Sequence, residues 1–335
     1  MAEGHANELA RAAVQWKSFG AETVQPAVGF SQVFQPDTLT FGFIAPLESY
    51  PDRPAPTMRD HLALARTADD AGFSAIWLRD VPFYDPSFGD LGQVFDPMSY
   101  AGFLAAATKR IAIGTAGIVL PLRDPLAIAK QATTLSHLTD GRFILGLSSG
   151  DRPAEYPAFG VDFDTRSDRF RDAYALIRAV TEESFPQYHS THFGTLDGSL
   201  DLVPKPQGGR LPIIAVGRAG QSVEWLAQNT DGWIWHQSDF ARLGGVVANW
   251  RAAVPGPQFK PYGYGTFFDL DRDPDAPLSP VRGLSIGRKA LIDLWRRQRD
   301  LGVNHVALNL KMARRPAVEI MDELGEYVLP LFTAG

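Results

Sequence analysis

Residues Arg110–Gly160, RIAIGTAGIVLPLRDPLAIAKQATTLSHLTDGRFILGLSSGDRPAEYPAFG, spell out strand, helix, strand and a Gly-rich turn in succession. Ile111 to Leu120 is apolar on both faces, as a strand in a parallel sheet covered by helices must be. Asp124-Pro125 then opens a helix, because Asp accepts orphan amide protons at the N-cap and Pro misses no donor at the first helical position. Ile128, Ala132 and Leu135 follow as one apolar stripe, Gly141 supplies a left-handed stop, and Arg142 to Leu147 begins the next strand. The unit is β-α-β over 38 residues, the length of a right-handed crossover.

The same alternation extends in both directions. Thr40–Pro46 reads as a first strand, and Thr57 and Asp60 as a capping box before a helix carrying Leu64, Ala68 and Ala71. Ser74–Val81 reads as a second strand, and Asp96-Pro97 opens a helix of small residues. Asp164–Glu183 is helical, and Ser184–Pro206 is an excursion with hairpin character. Leu211–Val216, Gly232–His236, Tyr262–Leu270 and Asn304–Leu310 complete the strands. Between them lie helices at Gln221–Asn229, after Ser238 as cap, and at Ser285–Leu301, with a last helix through Met321, Leu324, Val328 and Leu331. Eight such units predict an α/β fold, a (β/α)8 TIM barrel over 39–335. Residues 1–38 read as an N-terminal extension whose Trp16, Phe30 and Phe34 pack on the outside or on a partner subunit. No Rossmann glycine fingerprint follows the first strand.

Composition narrows the chemistry. Cysteine is absent, which removes disulfides, thiolate nucleophiles and Cys-ligated metals. A net charge of -6 speaks against a nucleic-acid or anionic-membrane partner. The first twenty residues hold no apolar leader, which points to a cytoplasmic protein. His189 and His192 lack a carboxylate at ligand spacing, so no metal is expected.

In a barrel of this kind the active site lies where the strands end. That nominates Arg79 and Asp80, Thr115–Gly117, Ser148–Arg152, Gly217–Ser222, Trp235 and His236, Asp269 and Asp271, and Asn309. Val216–Ser222, VGRAGQS, joins a strand to a helix, where free amides suit a phosphate, with Ser222 adding a hydroxyl and Arg218 a charge. Such turns are as often Gly-rich for backbone reasons alone. Asp80 reads equally well as a structural partner of a loop and as a catalytic group.

Gly114–Gly150, followed by Ala158–Gly160 and Arg169, resembles the central block of the bacterial luciferase-like flavin monooxygenases, and Pro212–Trp233 resembles their phosphate-turn block. Arg79–Asp90, RDVPFYDPSFGD, is similar to a subgroup of luciferase-type oxidoreductases. The resemblance implies FMN as cofactor, delivered reduced by a separate flavin reductase, and reaction with O2 to oxygenate a small-molecule substrate, in a homodimer. It implies that the flavin ring rests on Thr115, Ala116 and Gly117, where the family often has a cis peptide, and near Ser148 and Ser149. Gly217, Arg218, Ala219 and Ser222 would take the phosphate, with Arg152 and Tyr156 as further contacts. The chain departs from luciferase itself, which has a His pair at Asp80 and Val81, a cysteine at Ser148 and an arginine at Ser149. Asp80, Arg79 and His236 are therefore the candidate catalytic groups. Two other readings stand beside this one: hydride transfer with the deazaflavin F420, and a flavin-binding protein without turnover.

Overall fold

The computed structural model describes residues 27–88, 90–279 and 283–332. A short helix α1 (Val28–Val33) precedes β1 (Thr40–Ile44), α2 (His61–Asp70), β2 (Ala75–Leu78), α3 (Pro97–Ala107), β3 (Ala112–Thr115), β4 (Ile118–Val119), α4 (Pro125–Leu138) and β5 (Phe143–Ser148). Then come α5 (Arg166–Glu182), the antiparallel hairpin β6 (Gln187–Ser190) and β7 (Gly194–Asp197), β8 (Ile213–Val216), α6 (Val223–Asn229), β9 (Gly232–His236) and α7 (Leu243–Ala253). The chain continues with β10 (Tyr262–Leu270), β11 (Leu284–Ile286), α8 (Arg288–Leu301), β12 (His305–Asn309) and α9 (Ala317–Tyr327).

Eight of these strands pair in parallel around a ring, β1-β2-β3-β5-β8-β9-β10-β12, and β12 returns to β1 with His305 opposite Thr40 and Asn309 opposite Ile44. The fold is a (β/α)8 barrel. Its helices pack outside the strands over one continuous apolar layer, and a second, smaller cluster fills the interior of the ring. Trp77, Ile144, Ile214 and Ile234 form that inner core, and Gly114 on the neighbouring strand makes room for the indole: a Cβ there would sit 2.3 Å from the Trp77 ring.

Several local expectations are corrected. Phe34 packs inside the N-terminal mouth of the barrel against Trp77 and His305, with Phe30 behind it, because a barrel end left open would expose the inner core. Trp16 lies outside the described residues. The run Ile111–Leu120 is not one strand: it breaks at a cis Ala116–Gly117 peptide into β3 and β4. Thr57 does not cap α2, since its hydroxyl and amide bind the Glu48 carboxylate at 2.9 and 2.6 Å. Ser238 does not cap α7, whose N-cap is Arg242. Ser285 lies in β11, paired with the end of β10, so α8 starts only at Arg288. The caps at Asp96 and Asp124 form as the sequence predicts, and so do the left-handed stops at Gly72, Gly141 and Gly302.

Candidate active site

The C-terminal ends of the strands surround a cavity of about 740 Å³, within the range of a cofactor pocket. Its floor is the top of the inner core, Ile44, Trp77, Ala116, Val216, Ile234 and Ala307. Most of the strand-end candidates come together there: Arg79, Asp80, Ala116, Gly117, Ser148–Arg152, Gly217–Ala219, Trp235, His236 and Asn309.

Others stand behind the wall. Thr115 is fully buried and holds β3 to β5, its hydroxyl donating to Gly146 O at 2.7 Å and accepting from Gly146 N at 2.8 Å. Tyr156 is fully buried and donates to the Ser149 carbonyl, so it shapes the Ser149–Gly150 turn from outside. Ser222 accepts from Trp225 N at 3.1 Å as the N-cap of α6 and does not line the cavity. Asp269 is fully buried between Ser285 and Arg314, and Asp271 pairs with Arg314 on the outside. Both sit on the β10–β11 side of the rim, away from the cavity, because β10 runs on past its neighbours in the ring. Within the hairpin, His189 bonds to Thr195 at 2.8 Å.

The adjacent residues Arg79 and Asp80 follow the end of β2 and both line the cavity, each with its own partners. The Asp80 carboxylate binds Arg123 and accepts from Val119 N at 3.0 Å, so it ties the end of β2 to β4 and the turn after it. Arg79 pairs with Asp90, which also accepts from Tyr50 at 3.1 Å. Burial alone would raise the Asp90 carboxyl; Arg79, the Gly92 amide and Lys311 outweigh it and hold it below the usual range. His236 faces the mouth, edge-on to Phe267 at 5.9 Å. Desolvation by the surrounding walls, and then the Arg79 cation, lower its pKa, so its imidazole is neutral at pH 7.

At the far end, the turn Gly217–Gln221 carries positive φ angles at Gly217, Ala219 and Gly220. Gln221 anchors it to α5 through Ser167 O at 3.0 Å, and a Cβ on Gly220 would meet Ser167 Oγ at 2.4 Å. Arg218 projects from this turn over Trp235. Arg166, the first residue of α5, joins it with its guanidinium stacked on Phe163 at 3.7 Å. Among the described residues neither guanidinium is paired with a carboxylate. Arg166 was missed in the sequence although a signal was present: a cation in the first turn of a helix opposes the macrodipole and asks for another reason. The quoted Arg169 instead donates to Pro121 O at 3.3 Å, beside the hairpin residue Phe193.

The 81–95 loop closes the remaining side. Arg152 clasps it, donating to Asp90 O at 3.0 Å and Phe83 O at 3.4 Å and lying over the Phe88 ring at 4.6 Å. Phe88, Asp90 and Val81 thereby become cavity wall, which no local pattern in the loop discloses.

The sequence pattern described as luciferase-like monooxygenase matches residues 39–317. The alkanal monooxygenase alpha chain of Photorhabdus luminescens is 30% identical over 166 residues, 50% of this chain and 44% of that one. The chain thus spans about half the length of the curated relatives it matches. An F420-dependent secondary alcohol dehydrogenase, solved with an F420-acetone adduct, shares the fold with a TM-score of 0.70 at 20% identity, covering 88% of this chain and 99% of its own. The oxygenating constituent of 3,6-diketocamphane monooxygenase from Pseudomonas putida, in complex with FMN, does so with a TM-score of 0.67 at 16% identity, over 88% and 99%. With a family match across most of its length, a closed eightfold barrel and a cavity at the strand ends, the chain belongs to the luciferase-like monooxygenases.

Proposed function

We propose that this protein is a flavin-dependent oxidoreductase that takes reduced FMN from a separate reductase and uses it with O2 to oxygenate a small organic substrate. The observation that carries the reading is the polarity of the cavity: an apolar floor flanked by the small residues Ala116 and Gly117, leading to two guanidinium groups, Arg218 and Arg166, that pair with no carboxylate among the described residues. A flat ring bearing an anionic tail has this distribution of chemistry. When bound, reduced FMN supplies the electrons that activate O2.

The residues of this chain do the rest. Arg218 and Arg166 neutralise the phosphate, and Gly217 and Ala219, fixed by Gln221, let it approach the backbone. Ala116, Gly117 and Ser149 carry no bulk that would hold a ring away from the strand ends. The loop held by Arg152 excludes water from the floor. His236, neutral at pH 7, is placed to accept a proton from a substrate lying between it and Arg79.

The test is a titration with oxidised FMN, reduced FMN and F420, followed by flavin fluorescence and calorimetry. Tighter binding of reduced FMN supports the reading; tight F420 binding with indifference to FMN replaces it with deazaflavin hydride transfer. Arg218→Ala removes a charge-assisted contact and is expected to weaken FMN binding about tenfold or more. An unchanged affinity would remove Arg218 from the phosphate site.

A further inference from the structure

The acids around the cavity differ in how they are held. Asp80 is bound by Arg123 and the Val119 amide, Asp90 by Arg79 and Tyr50, and Asp151 is open to solvent. Glu155 is different. It lies in the turn Pro153–Phe159, lines the cavity, is only 5% exposed, and its Oε1 meets no hydrogen-bond donor among the described residues. The nearest cation, Arg152 Nη1, is 4.0 Å away, and that guanidinium spends its hydrogen bonds on the Phe83 and Asp90 carbonyls and its face on Phe88. A buried carboxylate without a donor is costly, whereas a neutral carboxyl aimed at a cavity is a proton donor waiting for an acceptor.

We propose that Glu155 stands in the cavity wall as an acid and delivers its proton to an acceptor oxygen on the molecule bound there. This deepens the reading of the site given above and rests on it for the reaction served. The charged and titratable neighbours agree. From its own turn come Arg152 and Asp151, from the end of β2 Asp80, from the loop Asp85, and from the turn after β4 Arg123, whose charge Asp80 already answers. Tyr156 beside it is neutral, its own pKa pushed up to about 12 by burial. Burial raises the Glu155 carboxyl first; Arg152 opposes it, as does the more distant Arg123, while Asp80, Asp151 and Asp85 add to the rise.

In the transfer the Glu155 O–H bond breaks as an O–H bond forms on the acceptor. The bonding pair stays on Glu155, whose carboxylate faces Arg152 until water returns a proton, and no oxidant or reductant is consumed. Activity that depends on this group is full while it is protonated and falls as pH rises through its pKa.

Two measurements decide the matter. Infrared difference spectra of the flavin-free protein against Glu155→Gln, followed through a pH titration, are expected to show a protonated-carboxyl stretch that the variant lacks and that persists above the usual carboxylate range; superimposable spectra overturn the proposal. With FMN supplied, Glu155→Gln is expected to bind oxidised FMN within about threefold of the parent, to turn over at least about tenfold more slowly, and to lose the alkaline limb of the pH–rate profile. An unchanged limb overturns the proton delivery even where the infrared band is present. Should Glu155→Gln fail to fold, Arg152→Gln tests the same point: loss of the opposing cation must move the alkaline limb to higher pH, and an unmoved or lowered limb overturns the proposal. The infrared arm needs no cofactor, so a protein that binds no flavin fails the functional reading while Glu155 is still judged by its own spectrum.

Discussion

Asp80 and Arg79 are one peptide bond apart and serve opposite ends of the site's construction. Asp80 has a side chain 1% exposed and holds Arg123 and the Val119 amide, so it positions β4. Asp80→Ala would leave Arg123 and a buried amide without their partner. It is expected to destabilise the fold by about 3 kcal/mol, as breaking a buried pair does, read as a fall in the denaturant midpoint. A variant as stable as the parent with only its turnover lost would return Asp80 to the chemistry. Arg79 could be told from its neighbour only in three dimensions, because the partners that separate them, Asp90 for Arg79 and Arg123 and Val119 for Asp80, come from other segments.

At the scale of elements, α1 shows how a segment without strong periodicity becomes part of the core. Six residues of helix are too short to be stable alone. They are held because Val33 and Phe34 enter the N-terminal mouth among Trp77, Ala112 and Ile144, while Gly29 N bonds to Gly141 O at 3.0 Å. Phe34→Ala would open the inner core at that end and is expected to cost about 3 kcal/mol, seen as a lower thermal midpoint. If the midpoint stays within a degree or two of the parent's, α1 is an ornament and not a plug. The elements best anticipated were those whose signals are local: the Asp-Pro starts of α3 and α4 and the glycine stops. Thr57 and Ser285, where the local pattern misleads, are residues whose partners lie elsewhere in the chain, Glu48 for the first and the end of β10 for the second.

Across the whole molecule, the closure of the barrel passes through one histidine. His305 on β12 is fully buried; its Nε2 accepts from Trp77 Nε1 on β2 at 2.8 Å, so its Nδ1 carries the proton and faces Thr40 Oγ1 on β1 at 2.7 Å. Thr40 in turn donates to Val33 O at 2.6 Å, which brings the plug into the same chain of bonds. Burial lowers the His305 pKa from 6.5 to about 3. The folded state therefore refuses a proton that the unfolded state accepts. Stability is full above pH 6.5 and is lost as pH falls toward 3, at about 1.4 kcal/mol per unit for this group. Chemical denaturation of the parent and His305→Gln between pH 7 and 4 should show a steeper acid loss in the parent. Parallel pH dependences would show that His305 is not the acid-labile group.

What the amino-acid order determined by itself was whatever depends on neighbours within a turn or a strand: the β-α rhythm, the apolar stripes, the caps, and hence the closed barrel and the rim on which a site must lie. The glycine-bounded turn from Val216 to Ser222 and the small residues after β3 were legible for the same reason. Only the tertiary structure decided which rim residues face the cavity. It paired Arg79 with Asp90 and Asp80 with Arg123, put Thr115, Tyr156 and Ser222 behind the wall, and carried Asp269 and Asp271 to the outer side of the rim. It also brought in Arg166, Phe88 and Glu155 from segments that approach one another only once eight strands have closed. Backbone signals act over a few residues, whereas burial, charge pairing and the lack of a hydrogen-bond donor to Glu155 Oε1 among the described residues are properties of a neighbourhood assembled from distant parts of the chain.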